Sequence, residues 1–310
     1  MGRLGATVLG GVFLVAALAK AVDPMAFAEA IEGEGLAGWI PAGSLALVAI
    51  GLETGLGVLL ISWVRRLWVL VPTAGLTGFF LFLTGRAYWT ATHGDPEASA
   101  TSCGCFGNLV DRTPAEAFWQ DLLLLGIPLL LAFLGRGRDS HGARWRVTLA
   151  GGATVGVLLL AWKAPDLPLD EVATRLRPGT RIDELCAGDD PRVCLHDVAP
   201  ALLEGEHWVV MIEPESAPEG WVEELNRRTW AGEGPPLTVL ADATPEELME
   251  VQFTLGPAFP IHEAPSVLLR PLYRQLPRSF LVRDGTVVVT SPGLPPDSPG
   301  PNSNEDGDPP

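Results

Sequence analysis

The sequence predicts an α-helical membrane bundle, a four-helix core with a fifth anchoring helix, followed by an α/β domain. Three observations carry this. Five long apolar stretches fill residues 1–162, and most of the acidic excess behind the net charge of −16 lies after Lys163. Beyond that lysine, short apolar runs alternate with helical patterns and end in a hairpin signal. An uneven chain of this kind reads as a membrane part followed by a soluble part. Its acidic balance argues against nucleic acid as a partner, because phosphate contacts need a basic surface.

The apolar stretches run roughly over Leu4–Val22, Ala42–Val64, Leu67–Thr90, Ala117–Leu134 and Val147–Trp162. About 20 residues at 1.5 Å each cross a bilayer's hydrocarbon. The first four satisfy this. The fifth is short, but Arg146, Lys163, Trp145 and Trp162 bracket it as interfacial anchors. The first stretch has a long apolar region and no convincing small-residue cleavage site, and further spans follow directly, so it is expected to be retained rather than removed as a signal peptide.

Basic residues set the expected orientation. Arg3, Arg65–Arg66 and the group Arg136, Arg138, Arg144 and Arg146 fall in alternate connections, and the other two connections carry acids. The positive-inside rule then puts the N-terminus in the cytoplasm. Five spans put the C-terminal domain outside, periplasmic or extracellular, in a multi-pass protein of the inner membrane. The bilayer is one partner, and an exported protein substrate or redox partner is a second.

The soluble part opens with a buried-strand run, "HWVVMI" (207–212), then a helix from about Glu219 to Arg228 and a strand at "LTVLA" (237–241). In "TPEELMEVQFTL", Thr244 is the N-cap, Pro245 the first helical residue and Glu247 the closing member of a capping box. Asp284–Gly285, between "RSFLVR" and "TVVVT", is a two-residue hairpin signal. The expected divisions are a membrane domain over 1–136, a cytoplasmic loop and fifth helix over 137–163, the α/β domain over 164–290, and a disordered tail over 291–310. That last stretch holds seven prolines.

"RLGATVLGGVFLVAALAKAVDPMAFAEAI", "GLETGLGVLL", "CGCFG" and "FWQDLLLLGIPLLL" together resemble the membrane domain of the MauE family, which is related to DoxX. That family is the methylamine-utilisation protein E family, associated with maturing methylamine dehydrogenase, a disulfide-rich periplasmic enzyme. The resemblance covers about residues 1–136 and rests on Lys20, Glu53, the Cys-Gly-Cys-Phe-Gly loop and Asp121 together. It implies a role in disulfide handling or maturation of exported proteins, with methylamine metabolism as one setting. The soluble part is similar to thioredoxin-like domains, with Pro277 matching the cis-proline of that fold. It departs from them at the Cys-x-x-Cys after the first core strand: Ser216 and Glu219 stand at the two sulfur positions, so the domain reads as degenerate.

Four cysteines carry what thiol chemistry there is: Cys103, Cys105, Cys186 and Cys194. All four fall on the expected outer side, where disulfides persist. Cys103 and Cys105 flank one glycine. They read as an exchanging redox pair, with a structural turn or bridge and a metal site as alternatives, although two thiolates are only half of a four-ligand site. Lys20 and Arg86 are candidates to stabilise a thiolate, and Asp121 to hold those cations. Glu53 lies nearer mid-membrane, with no assigned role and no assured contact with Lys20. Cys186 and Cys194 read as a structural disulfide, with electron exchange as the sharper alternative.

Glu213, Glu215 and Glu219 read as an exposed acidic loop. His196, His207 and His262 show no metal-ligand spacing, and no phosphate loop or dinucleotide fingerprint appears, so neither metal nor cofactor is expected. A thiol–disulfide oxidoreductase component is thus the leading reading. Against it stand a non-catalytic membrane scaffold whose cysteines form permanent bridges, and a channel resting on Glu53 alone.

Overall fold

The computed structural model describes residues 1–36, 38–93, 113–135, 143–187, 192–232 and 234–296. The chain divides into two compact units, Met1–Ala173 and Thr174–Pro310.

Among the described residues, five helices of the first unit are long and apolar enough to cross a bilayer, which makes this a multi-pass membrane protein. Helix α1 (Gly2–Val22) is followed by α2 (Pro24–Gly33), α3 (Ala42–Ile61) and α4 (Leu67–His93). The fourth span is composite: α5 (Pro114–Asp121), a π-helical turn over Leu122–Gly126, and α6 (Ile127–Leu134). Pro128 explains the composite form. Its ring displaces the carbonyl four residues earlier, that of Leu124, and it has no N–H to return, so the helix widens just ahead of it.

The fifth span, α7 (Ala143–Lys163), is 21 residues long and exceeds the apolar stretch that the sequence marks. Its ends take in Arg144, Arg146 and Lys163, whose long stems can lie along apolar surface while the charges reach the interface. Arg146 and Lys163 sit over the rings of Trp145 and Trp162, at 5.6 and 4.7 Å.

Helix α2 is absent from the sequence reading, which treats its segment as an acidic connection. Its start signal is nevertheless present: Asp23 caps it by accepting from Ala26 N at 3.1 Å, and Pro24 opens it. Ala28 and Ile31 of α2 pack with Ala42 and Ala46 of α3.

Helix α8 (Asp170–Ala173) ends the first unit, and the second unit follows it. A two-strand hairpin of β1 (Cys186–Ala187) and β2 (Val193–Cys194) leads into α9 (Leu195–Val198). Then come β3 (Glu206–Ile212), α10 (Trp221–Ala231), β4 (Leu237–Ala241), α11 (Pro245–Leu255), β5 (Ile261–Glu263), α12 (Ser266–Leu269), β6 (Arg278–Arg283) and β7 (Thr286–Pro292). The five-stranded sheet has the order β5-β4-β3-β6-β7. β3, β4 and β5 run parallel, while β6 is antiparallel to β3 and β7 to β6.

Both sheet faces are covered, which is why "HWVVMI" reads as a continuous apolar run rather than an alternation. Val209 and Met211 enter one core with Leu240, Phe280 and the segment around Leu195. Val210 and Ile212 enter the other, beneath Trp221, Leu225 and Val251.

The capping box of α11 forms as the sequence predicts, Thr244 N donating to Glu247 Oε2 at 2.7 Å. The hairpin forms as well, with φ of 47° at Asp284 and 71° at Gly285, the two positive values a type I′ turn requires. The described chain continues past the expected boundary at 290. β7 runs to Pro292, Leu294 packs on the α10 core, and Arg228 donates to the carbonyls of Pro295 and Pro296. Residues 297–310 lie outside the described residues.

Candidate functional site

Small residues bring α1 against α3. A Cβ on Gly10 would lie 2.7 Å from Gly57 O, and one on Gly57 would lie 3.0 Å from Leu14 Cγ. Only hydrogen at both positions lets the backbones approach this closely, the packing mode typical of membrane helices. The same holds at the other side of α1, where a Cβ on Gly5 would meet Pro128 O at 2.6 Å.

That crossing fixes the depth of the charged residues. Measured from the Gly10–Gly57 contact, Lys20 lies about 15 Å along α1 and Glu53 about 6 Å along α3. Side chains lean toward their own helix N-terminus. Because the two helices are antiparallel, Lys20 leans back toward the crossing and Glu53 leans away from it, so the two approach. They form an ion pair, Lys20 Nζ donating to Glu53 Oε1, with relative exposures of 3% and 0%. The contact left unassigned by depth alone is therefore made.

Lys20 Nζ also lies 4.9 Å from the Phe27 ring of α2 and 4.6 Å from the Phe80 ring of α4, both within cation–π range. Glu53 Oε2 has no hydrogen-bond partner among the described residues.

Phe80, whose ring faces Lys20, also lines a cavity with Asp121. That small cavity is lined by Phe13, Ala16, Phe80, Asp121, Leu124 and Leu125. Asp121, 1% exposed, is the last residue before the π-helical turn, a distortion often found at functional positions. Arg86 finds its carboxylate in Glu34, just beyond α2. Tyr88 and Phe118 stack at 5.7 Å and tie α4 to α5. These two helices bound the connection that carries Cys103 and Cys105, which themselves lie outside the described residues.

In the second unit, Cys186 and Cys194 are cross-strand partners joined in a disulfide. Ser216 ends a short turn after β3 and donates to Glu213 Oε2 at 2.7 Å. Glu219 follows in the loop before α10, and the Leu276–Pro277 peptide is cis.

Glu213 and Asp242 follow directly on Ile212 and Ala241, the paired ends of β3 and β4. Burial pushes the Asp242 carboxyl above the usual range, the Ser266 hydroxyl opposes this, and the Glu213 and Glu247 charges add to it. Burial likewise raises the Tyr273 phenol, with Arg270 opposing. The sequence reading considers Glu213, Glu215 and Glu219 but not Asp242, which only the strand register brings beside Glu213. It also finds no ligand spacing at His196, yet the structure gathers Cys194, His196 and Asp197.

A five-span helical membrane domain followed by an α/β unit is the class of protein that this fold defines. Residues 2–134, the N-terminal membrane region, match the family Methylamine utilisation protein MauE. No curated protein and no solved structure matches the chain.

Proposed function

We propose that this protein is a multi-pass inner-membrane component of thiol–disulfide handling, supporting maturation of exported proteins, with Cys103 and Cys105 as the exchanging pair. The observation that carries the reading is the distribution of sulfur. The chain has four cysteines. Cys186 and Cys194 are committed to each other, and Ser216 and Glu219 offer none after β3. The remaining two lie within the MauE-matched region.

In this reading the N-terminus is cytoplasmic and the Cys103–Cys105 connection faces outward, where exchange partners are exported thiols. Arg86 and Asp121 lie about two helical turns from the ends of that connection. This reading gives Lys20 and Arg86, each held by a carboxylate (Glu53 and Glu34), the support of the attacking thiolate, which nearby positive charge favours. The C-terminal unit is a degenerate thioredoxin-like domain: its strand order and cis-Pro277 support that assignment, and it binds a client without exchanging electrons. Methylamine dehydrogenase-type maturation is one setting, suggested by the family's name.

Trapping tests this. Cys105→Ser should leave Cys103 able to attack but not to resolve, so a mixed disulfide with a client should accumulate on non-reducing gels. Ser216→Ala should not change it. Absence of any adduct with either single cysteine variant would overturn the proposal in favour of a non-catalytic scaffold.

A further inference from the structure

The Cys186–Cys194 hairpin holds more donors than a disulfide needs. Cys194 immediately precedes α9, whose second and third residues are His196 and Asp197. One ligand atom from each of Cys194, His196 and Asp197 lies within 4.8 Å of the other two. Cys186 Sγ, bonded to Cys194 Sγ, adjoins this three-residue cluster through the disulfide. Asp197 is held in place, Oδ2 accepting from Cys194 N at 3.0 Å while Oδ1 lies 3.5 Å from His196 Nε2. His196 Nδ1 is buried with no hydrogen-bond partner among the described residues.

We infer that the dithiol form of this hairpin is a four-ligand site for a zinc-type divalent cation, made by Cys186, Cys194, His196 and Asp197. Two thiolates, an imidazole and a carboxylate match the donor chemistry and number of a closed tetrahedral zinc site. Donors around such an ion stand roughly 3.3–3.8 Å apart, given metal–ligand bonds of about 2.0–2.3 Å. The Cys194, His196 and Asp197 donors, all within 4.8 Å of one another, need a contraction of about an ångström. The two sulfurs, bonded to each other in the oxidised form, move apart to ligand spacing once reduction breaks that bond.

The disulfide and the metal exclude each other. Disulfide sulfurs carry no thiolate, so the oxidised hairpin lacks half the ligands. Reduction by a dithiol transfers two electrons and two protons. The S–S bond breaks, Cys186 and Cys194 become thiols, and the donor dithiol becomes a disulfide. Metal entry then displaces the two thiol protons to solvent and forms two metal–sulfur bonds. Either way the β1–β2 hairpin stays closed against Leu185 and Leu195, which belong to the sheet's core. The inference concerns only this hairpin and stands whether or not Cys103 and Cys105 exchange electrons.

Cobalt(II) is the probe. The full chain in detergent, carrying Cys103→Ser and Cys105→Ser to remove the other thiols, is reduced with a phosphine, freed of reductant and titrated with cobalt(II). One cobalt per chain should bind, with thiolate-to-cobalt charge transfer and the visible bands of tetrahedral coordination. Zinc should displace it. His196→Ala should weaken binding at least tenfold, and the oxidised chain should show no such spectrum.

A second measurement leaves the hairpin unaltered: zinc should slow alkylation of reduced Cys186 and Cys194, and a chelator should restore it. Lack of thiolate-to-cobalt bands in the reduced chain, unchanged affinity in His196→Ala, or no zinc protection would each overturn the site.

Discussion

Lys20 and Glu53 meet inside the bundle because antiparallel helices aim their side chains at each other across a difference in depth. The pair is fully buried, in a setting where desolvation offsets most of the Coulombic gain. Removing one partner leaves an uncompensated charge. Lys20→Met and Glu53→Leu should each destabilise the membrane domain by about 3–5 kcal/mol, whereas the double variant should lose clearly less. Unfolding of the detergent-solubilised chain, run as a double-mutant cycle, measures the difference. Additive losses would mean that the two residues do not act as a pair.

The Gly10–Gly57 crossing sets that geometry. Gly10→Leu would drive carbons into Gly57 O and Ile61, at a cost of about 1–3 kcal/mol as overpacking or more if the helices separate. Gly11→Leu meets open space and should be close to neutral. The same unfolding assay compares them, and equal effects would contradict the crossing.

The Cys186–Cys194 bridge closes a loop with a sequence separation of 8. Loop-closure entropy assigns such a bridge about 2.5 kcal/mol. Reduction, or Cys186→Ser with Cys194→Ser, should lower the denaturant midpoint of the C-terminal unit by an amount of that order. Pulse proteolysis in urea with metal chelated reads it. No change would show that the hairpin is held by its packing alone.

Asp242 and Asp183 predict opposite pH effects. The Asp242 carboxyl is raised in the folded state, so its contribution is present at low pH and is lost as pH rises through the raised value. Asp183 is lowered, chiefly by its hydrogen bond from Arg181, so its contribution is present above the ordinary aspartate range and is lost on acidification. Asp242→Asn should therefore raise the midpoint of the C-terminal unit at pH 8 relative to pH 4. Asp183→Asn should give a small loss at pH 8 that fades toward pH 3. Denaturation midpoints across this range decide the signs, and a pH-independent effect of Asp242→Asn would contradict them.

Local signals carried the fold where each element declares itself. The capping box at Thr244 and the Asp284–Gly285 turn are properties of a few adjacent residues, and both form. Five spans are legible because hydrocarbon thickness imposes a length on apolar runs.

Helix α2 was hidden because its acids resemble a solvated connection, although Asp23–Pro24 carries a start signal. The fifth helix was cut short because arginines at its ends count against hydropathy while their stems do not. The Lys20–Glu53 contact depends on helix direction and the Gly10–Gly57 crossing, and the Glu213–Asp242 neighbourhood depends on strand register. No run of sequence contains either relationship. His196 was passed over because ligand spacing looks for repeated motifs, whereas Cys194, His196 and Asp197 converge within a single turn.

The most direct test of the proposed function is the redox state of Cys103 and Cys105 in intact cells. Free thiols are blocked at once with one alkylating reagent, disulfides are reduced, and the new thiols are labelled with a second reagent of different mass. Thiol exchange predicts a mixed population of oxidised and reduced Cys103–Cys105 that shifts with mild reductant. A Cys103–Cys105 pair fixed in one state under the same treatment would contradict the account.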